Sequence, residues 1–141
     1  MNAKLILLPL LAMFLLACIV AGTMLRRRIS FYKTNRVHPQ KTATSAQMAA
    51  IMPDSRAPDN FRNLFEIPVL FYVAVLTIYV TGQTNAVYLV LAWGFVLARY
   101  VHSAIHCTNN NVMRRFYAFL ASNAFLVTIW LCLAYQLITT I

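Results

Sequence analysis

Arg99, His102 and His106 interrupt a long apolar run at i, i+3 and i+7, which places them on one face of a helix. Upstream, Arg62, Asn63 and Glu66 share a second helical face just before Pro68. Arg115 follows sixteen residues after Arg99, and Arg27 ends the first apolar run. Arginines offer bidentate contacts to carboxylates, and a glutamate can take an amino group. The set suits an anionic ligand with many hydrogen-bonding groups, held beside an apolar second substrate. Charges at the edge of lipid are costly and normally face a bundle interior or a wet cavity. The two faces are therefore expected to meet in one polar site near one membrane surface, with Glu66 paired to Arg99.

The 141-residue chain is 61% hydrophobic, above the half expected of a soluble domain. Its few charges are clumped. It reads as one multi-pass domain with most of its mass in the bilayer. The net charge of +9 does not point to nucleic acid, because the basic residues sit beside apolar spans, where they set topology. Cys18, Cys107 and Cys132 form no CxxC pair, and two of them lie within apolar runs as small buried thiols. Cys107 differs, at a helix end beside His106.

The elements that must carry the site follow from hydropathy. Helices are expected over about 5–25, 60–82, 86–106 and 114–141, with one long polar loop over 26–59 that includes a short helix near Thr42–Ile51. The first run resembles a signal peptide but continues past Cys18 to Leu25. At ~1.5 Å per residue it spans ~31 Å, enough to cross a ~30 Å core, so it reads as a retained helix. Asp59 or Asn60 is expected to cap the second helix, and Pro68 to bend it and free the Leu64 carbonyl. The loop after helix 1 and the turn before helix 4 hold nearly all the basic residues. They are expected to be cytoplasmic, with both termini facing away. Arg99 and Glu66 then lie ~9 Å and ~6 Å below the same boundary.

Metal binding by His102 and His106 is disfavoured, because His38, Cys107 and Glu66 have no recognisable ligand spacing. A transporter is disfavoured too, since no matched broken spans or internal repeat occur.

With these residues in place, the chain resembles the MAPEG family, membrane-associated proteins of eicosanoid and glutathione metabolism. Arg62-Asn63-x-x-Glu66-x-Pro68 looks like the family's helix 2 signature, and Arg99-x-x-His102 resembles its helix 3 pattern. The resemblance implies an all-α, four-helix integral membrane bundle, homotrimeric, holding glutathione between neighbouring protomers. It makes Arg115 the catalytic residue that stabilises a thiolate. Arg27, Arg62, Asn63, Glu66, Arg99, His102 and His106 become the glutathione-binding set, with a lipophilic second substrate. It also implies an inner-membrane location if the source is bacterial. Four positions depart from the family pattern: His106 stands for a tyrosine, Phe116 for a small polar residue, Phe119 for an aromatic hydroxyl, and Asp59 stands where some members have arginine. The first three favour an alternative, a non-catalytic member binding lipid or protein.

Overall fold

A computed structural model describes residues 2–140. After a short 3-10 turn (Ala3–Ile6), helix α1 runs Leu7–Asn35. Pro9 falls in its first turn, where a missing N–H costs nothing. The helix does not stop at Leu25 where the apolar run does. Arg26, Arg27 and Arg28 are good helix formers, so α1 continues ten residues further, until Arg36 turns left-handed at φ 51°. The polar loop is thus shorter than its composition suggests.

A second 3-10 turn (Pro39–Thr42) leads into α2 (Ser45–Ile51), the short helix expected within the loop. Thr44 and Gln47 close a reciprocal capping box at its start. Helix α3 (Arg56–Asn63) and helix α4 (Ile67–Val80) occupy the place of the single second helix expected over 60–82. Pro68 does more than bend the chain. Its ring excludes a hydrogen bond to the Leu64 carbonyl, and residues 64–66 leave helical geometry, with Glu66 at φ −100°, ψ −102°. Asn60 is therefore no cap. It sits inside α3, fully buried.

Helix α4 ends in a Schellman turn on Gly82 at φ 68°, with Gln83 N–H donating to the Ile78 carbonyl at 3.0 Å. Asn85 caps α5 (Ala86–Cys107) by accepting from Tyr88 N–H at 3.0 Å. Asn111 then caps α6 (Val112–Thr140) by accepting from Arg114 N–H at 3.0 Å.

The pairing of α5 with α6 is the closest in the fold. A Cβ on Gly94 would lie 2.6 Å from the Phe125 ring, so only glycine admits this approach. Phe71 and Phe95 stack at 4.2 Å between α4 and α5. Among the described residues, four spans are long and apolar enough to cross a membrane: Ala3–Asn35, Arg56–Val80, Ala86–Cys107 and Val112–Thr139. Only 22% to 39% of each span's most apolar window is buried by the protein itself. So much uncovered hydrocarbon suits a bilayer and not water. The molecule is an all-α, integral membrane four-span bundle.

Candidate functional site at the arginine-rich end

Three elements are tied together where α5 ends, α3 begins and the polar last third of α1 passes beside them. Asp54 accepts from Arg56 Nε at 2.7 Å and Nη2 at 3.0 Å, and from Arg27 Nη1 at 3.5 Å. Arg27 also donates to the Cys107 carbonyl and Arg56 to the Thr108 carbonyl. These oxygens belong to the C-terminal turn of α5, where the helix leaves carbonyls unpartnered and its dipole favours cations. Asp54 carries the charge that lets both arginines gather there. The Arg56 guanidinium holds its carboxyl below the usual carboxylate value, partly offset by burial.

Deeper in, Asn60 links α3 to α5. Its Oδ1 accepts from Ser103 Oγ at 3.2 Å, and its Nδ2 donates to Cys107 Sγ at 3.3 Å. Below it lies Arg99, fully buried. The expected ion pair with Glu66 is absent among the described residues. Residues 64–66 break the helical face that Glu66 would share with Arg62 and Asn63, and its side chain is exposed. Arg99 Nη2 donates instead to the main-chain oxygen of Asn63 at 2.9 Å. Its Nε and Nη1 have no hydrogen-bond partner among the described residues.

His102 Nδ1 lies 3.1 Å from the Arg115 carbonyl. A carbonyl only accepts, so Nδ1 carries the proton there and Nε2, which has no partner, is left as an acceptor on the neutral ring. The His106 ring meets that of His102 edge-on at 5.6 Å, and its Nδ1 is also unpartnered. The two histidines belong to no group of potential metal ligands among the described residues.

The surface divides these residues between two depressions. Asn63, His102 and Arg115 line a cavity of about 200 Å³ together with Val112, Phe116 and Phe119. Arg27 and Arg62 line a different one, of about 290 Å³, between the end of α1 and the loop carrying α2. Arg99 and His106 are enclosed and line neither, and Glu66 lies exposed at the break. Arg115 is half-buried and donates from Nη1 to Asn110 Oδ1 at 2.7 Å. Phe119 does double duty. Its ring lies 6.1 Å from that of His102, and it also lines a groove of about 740 Å³ between α4 and α6, walled by Leu70, Leu126 and Trp130.

Sequence reasoning missed Asp54, Arg56 and the interior role of Asn60. Asp54 was discoverable as one of only three acidic residues in a chain with twelve basic ones. Asn60 carried no comparable signal, since an asparagine before an apolar run also reads as a cap.

The fold and this end define a class: a helical, multi-pass membrane protein with a polar, cation-lined site at one end of its bundle. The MAPEG family matches the chain over residues 4–135, and the protein belongs to that family. It is thus a membrane protein of the glutathione and eicosanoid metabolism type. No curated protein and no solved structure matches it.

Proposed function

We propose that the protein is a glutathione-dependent transferase or peroxidase acting on electrophiles dissolved in the membrane. The observation that carries this reading is the Phe119 junction. A cavity holding Arg115, His102 and Asn63 shares that wall with a large apolar groove open to hydrocarbon. A water-soluble thiol could be held on one side and a lipophilic partner on the other.

The residues present suit glutathione. It carries two carboxylates, an amine and a peptide backbone, and the region offers several cationic donors beside Glu66, Asp59 and an Asp54 already engaged by Arg56 and Arg27. Arg115 stabilises the thiolate by a charge-assisted hydrogen bond, lowering a thiol pKa that is ordinarily near ~8.5. Asn63 and His102 orient the peptide and amine, and His102 Nε2 supplies an acceptor. Arg62, Arg99 and Arg27 provide positive charge toward the carboxylates, with Glu66 toward the amine and His106 in the tyrosine's place. Arg27 and Arg62 open from a separate depression, so a site shared by neighbouring copies of a homotrimer would join the two sets. The arginine-rich end faces the cytoplasm, of the inner membrane if the source is bacterial, and both termini face away.

Calorimetric titration of detergent-purified protein with glutathione tests this, beside conjugation of a small aryl halide. Saturable binding and turnover are expected. Arg115→Ala should abolish turnover and leave the protein folded, and wild-type rates in that variant would sink the assignment.

One observation favours a second reading, a non-catalytic member that binds lipid or protein. Arg115 is already engaged by Asn110, and Phe116 and Phe119 crowd its cavity. Absence of glutathione binding at millimolar concentration would select it.

A further inference from the structure

The run Asn109-Asn110-Asn111, which joins α5 to α6, has no part in the function above. Each of its side chains makes a different bond. Asn109 Oδ1 accepts from Asn111 N–H at 3.2 Å, and Asn111 Oδ1 caps α6 on Arg114 N–H. Asn110 Oδ1 accepts from Arg115 Nη1 at 2.7 Å.

Asn110 is itself fixed. Its backbone is left-handed at φ 50°, a region that asparagine tolerates, and its N–H donates to the Ile105 carbonyl of α5 at 2.8 Å. Arg115 is held at its backbone as well. Its carbonyl accepts from His102 Nδ1 at 3.1 Å, and its N–H donates to the Asn111 carbonyl at 3.0 Å. A guanidinium carries several N–H donors. Asn110 takes one from Arg115, and the others make no hydrogen bond among the described residues. No carboxylate lies within ion-pair reach of Arg115 among those residues. The side chain is thus held at a cavity wall by a neutral acceptor alone.

We propose that Asn110 is a positioning residue for Arg115, an acceptor that fixes the guanidinium without reducing its charge. This rests on the proposed function and deepens it. An aspartate at this position would accept the same N–H but form an ion pair. The positive charge that lowers the thiol pKa would then be neutralised within the protein. With no acceptor, the ligand itself would have to order a long, flexible side chain. A donor already in place avoids that reorganisation when the thiolate forms. The contact that favours the non-catalytic reading is then what prepares Arg115.

The test compares wild type, Asn110→Gly and Asn110→Asp in phosphatidylcholine nanodiscs. Glycine keeps the left-handed turn without strain and removes the acceptor. Aspartate keeps turn and acceptor and adds a charge. The first readout needs no ligand: the order parameter of the Arg115 Nε–H from NMR relaxation, its signal assigned by its absence in Arg115→Lys. Wild type and Asn110→Asp should be ordered, and Asn110→Gly should fall below about 0.6, the flexible range. The second is the ultraviolet absorbance of the bound glutathione thiolate against pH. At neutral pH the thiolate should be about three- to tenfold scarcer in Asn110→Gly, and at least about tenfold scarcer in Asn110→Asp. A purely structural role predicts the reverse ranking, since aspartate preserves the contact that glycine deletes.

An Arg115 as mobile in the wild type as in Asn110→Gly would overturn the proposal. So would more thiolate in Asn110→Gly than in the wild type, because the amide would then be competing with the ligand. A wild-type thiolate that both variants retain removes Asn110 alone. An ordered Arg115 with no thiolate in the wild type removes the transferase reading, and the positioning role with it.

Discussion

Removing Asn60 should loosen the arginine-rich end in a way that a double-mutant cycle can resolve. Asn60 is fully buried, Ser103 is 2% exposed, and they meet at 3.2 Å. Asn60→Ala deletes that bond and the one to Cys107 Sγ, and leaves a small void. A neutral hydrogen bond contributes about 1 kcal/mol net, and a stranded buried partner costs about 1–3 kcal/mol. The single variant should therefore lose about 2–3 kcal/mol. Ser103→Ala should cost less, about 1 kcal/mol, because the amide it abandons keeps its thiol contact. In the double variant no hydroxyl is left stranded, so the losses should not add. Coupling energies between polar side chains in membrane bundles average about 0.6 kcal/mol and reach about 1.7 kcal/mol. This pair is dry on both sides, so a value in the upper half of that range is expected. The assay is reversible unfolding of the reconstituted protein by denaturing detergent, for the wild type, both singles and the double. Losses that add within about 0.3 kcal/mol would refute the link, because that is the behaviour of independent sites.

Two further outcomes concern charge. Because Arg56 and Arg27 hold the Asp54 carboxyl below its ordinary value, its contribution is fully present above the unfolded value of about 3.9 and is lost as pH falls through the lower folded value. Cleavage of the 36–55 segment by an acid protease should rise steeply below about pH 4 in the wild type, while Asp54→Asn should cleave readily at every pH tested. Equal profiles would show that the segment is held by other contacts. Arg99→Met should leave unfolding midpoints unchanged or raise them, since it replaces a buried charge with two unpartnered nitrogens by an apolar side chain of similar length. The same variant should weaken glutathione binding at least about tenfold, a loss of about 1.4 kcal/mol. Unchanged binding would remove Arg99 from the ligand set.

Hydropathy made the outline of the fold legible. Four apolar runs became four spans among the described residues, whereas the cap expected at Asp59 or Asn60 lies inside α3. The end of α1 was not legible, because arginines that stop a hydrophobic run do not stop a helix. Polar residues in apolar runs pointed to the region of the candidate site. Which of them would touch was hidden by the break at Pro68. A proline inside a helical pattern announces a defect without saying whether the chain bends or stops. With α3 and α4 separate, the face shared by Arg62, Asn63 and Glu66 no longer exists. A Glu66–Arg99 pair inferred from equal depth along one straight helix fails for that reason. Asp54 was invisible to arguments from spans because it lies outside them.

The break also explains how an arginine persists in the interior without a carboxylate in direct contact. Carbonyls at the end of α3 lack helical partners, and one of them, on Asn63, takes the Arg99 Nη2 proton. Irregular backbone at membrane depth needs its polar groups met by protein, and at this break Arg99 of α5 supplies the donor to the Asn63 carbonyl while Phe65 and Glu66 stay exposed. Stability alone would be served as well by a continuous helix against an apolar residue at position 99. The broken form leaves Arg99 Nε and Nη1, His102 Nε2 and His106 Nδ1 unspent along one helix face. Four unsatisfied polar atoms on three successive turns are a stability cost that packing has not removed. On the proposed reading, a ligand with several acceptors and donors in the Arg115 cavity would recover that cost first at His102, the one of the three residues that lines it.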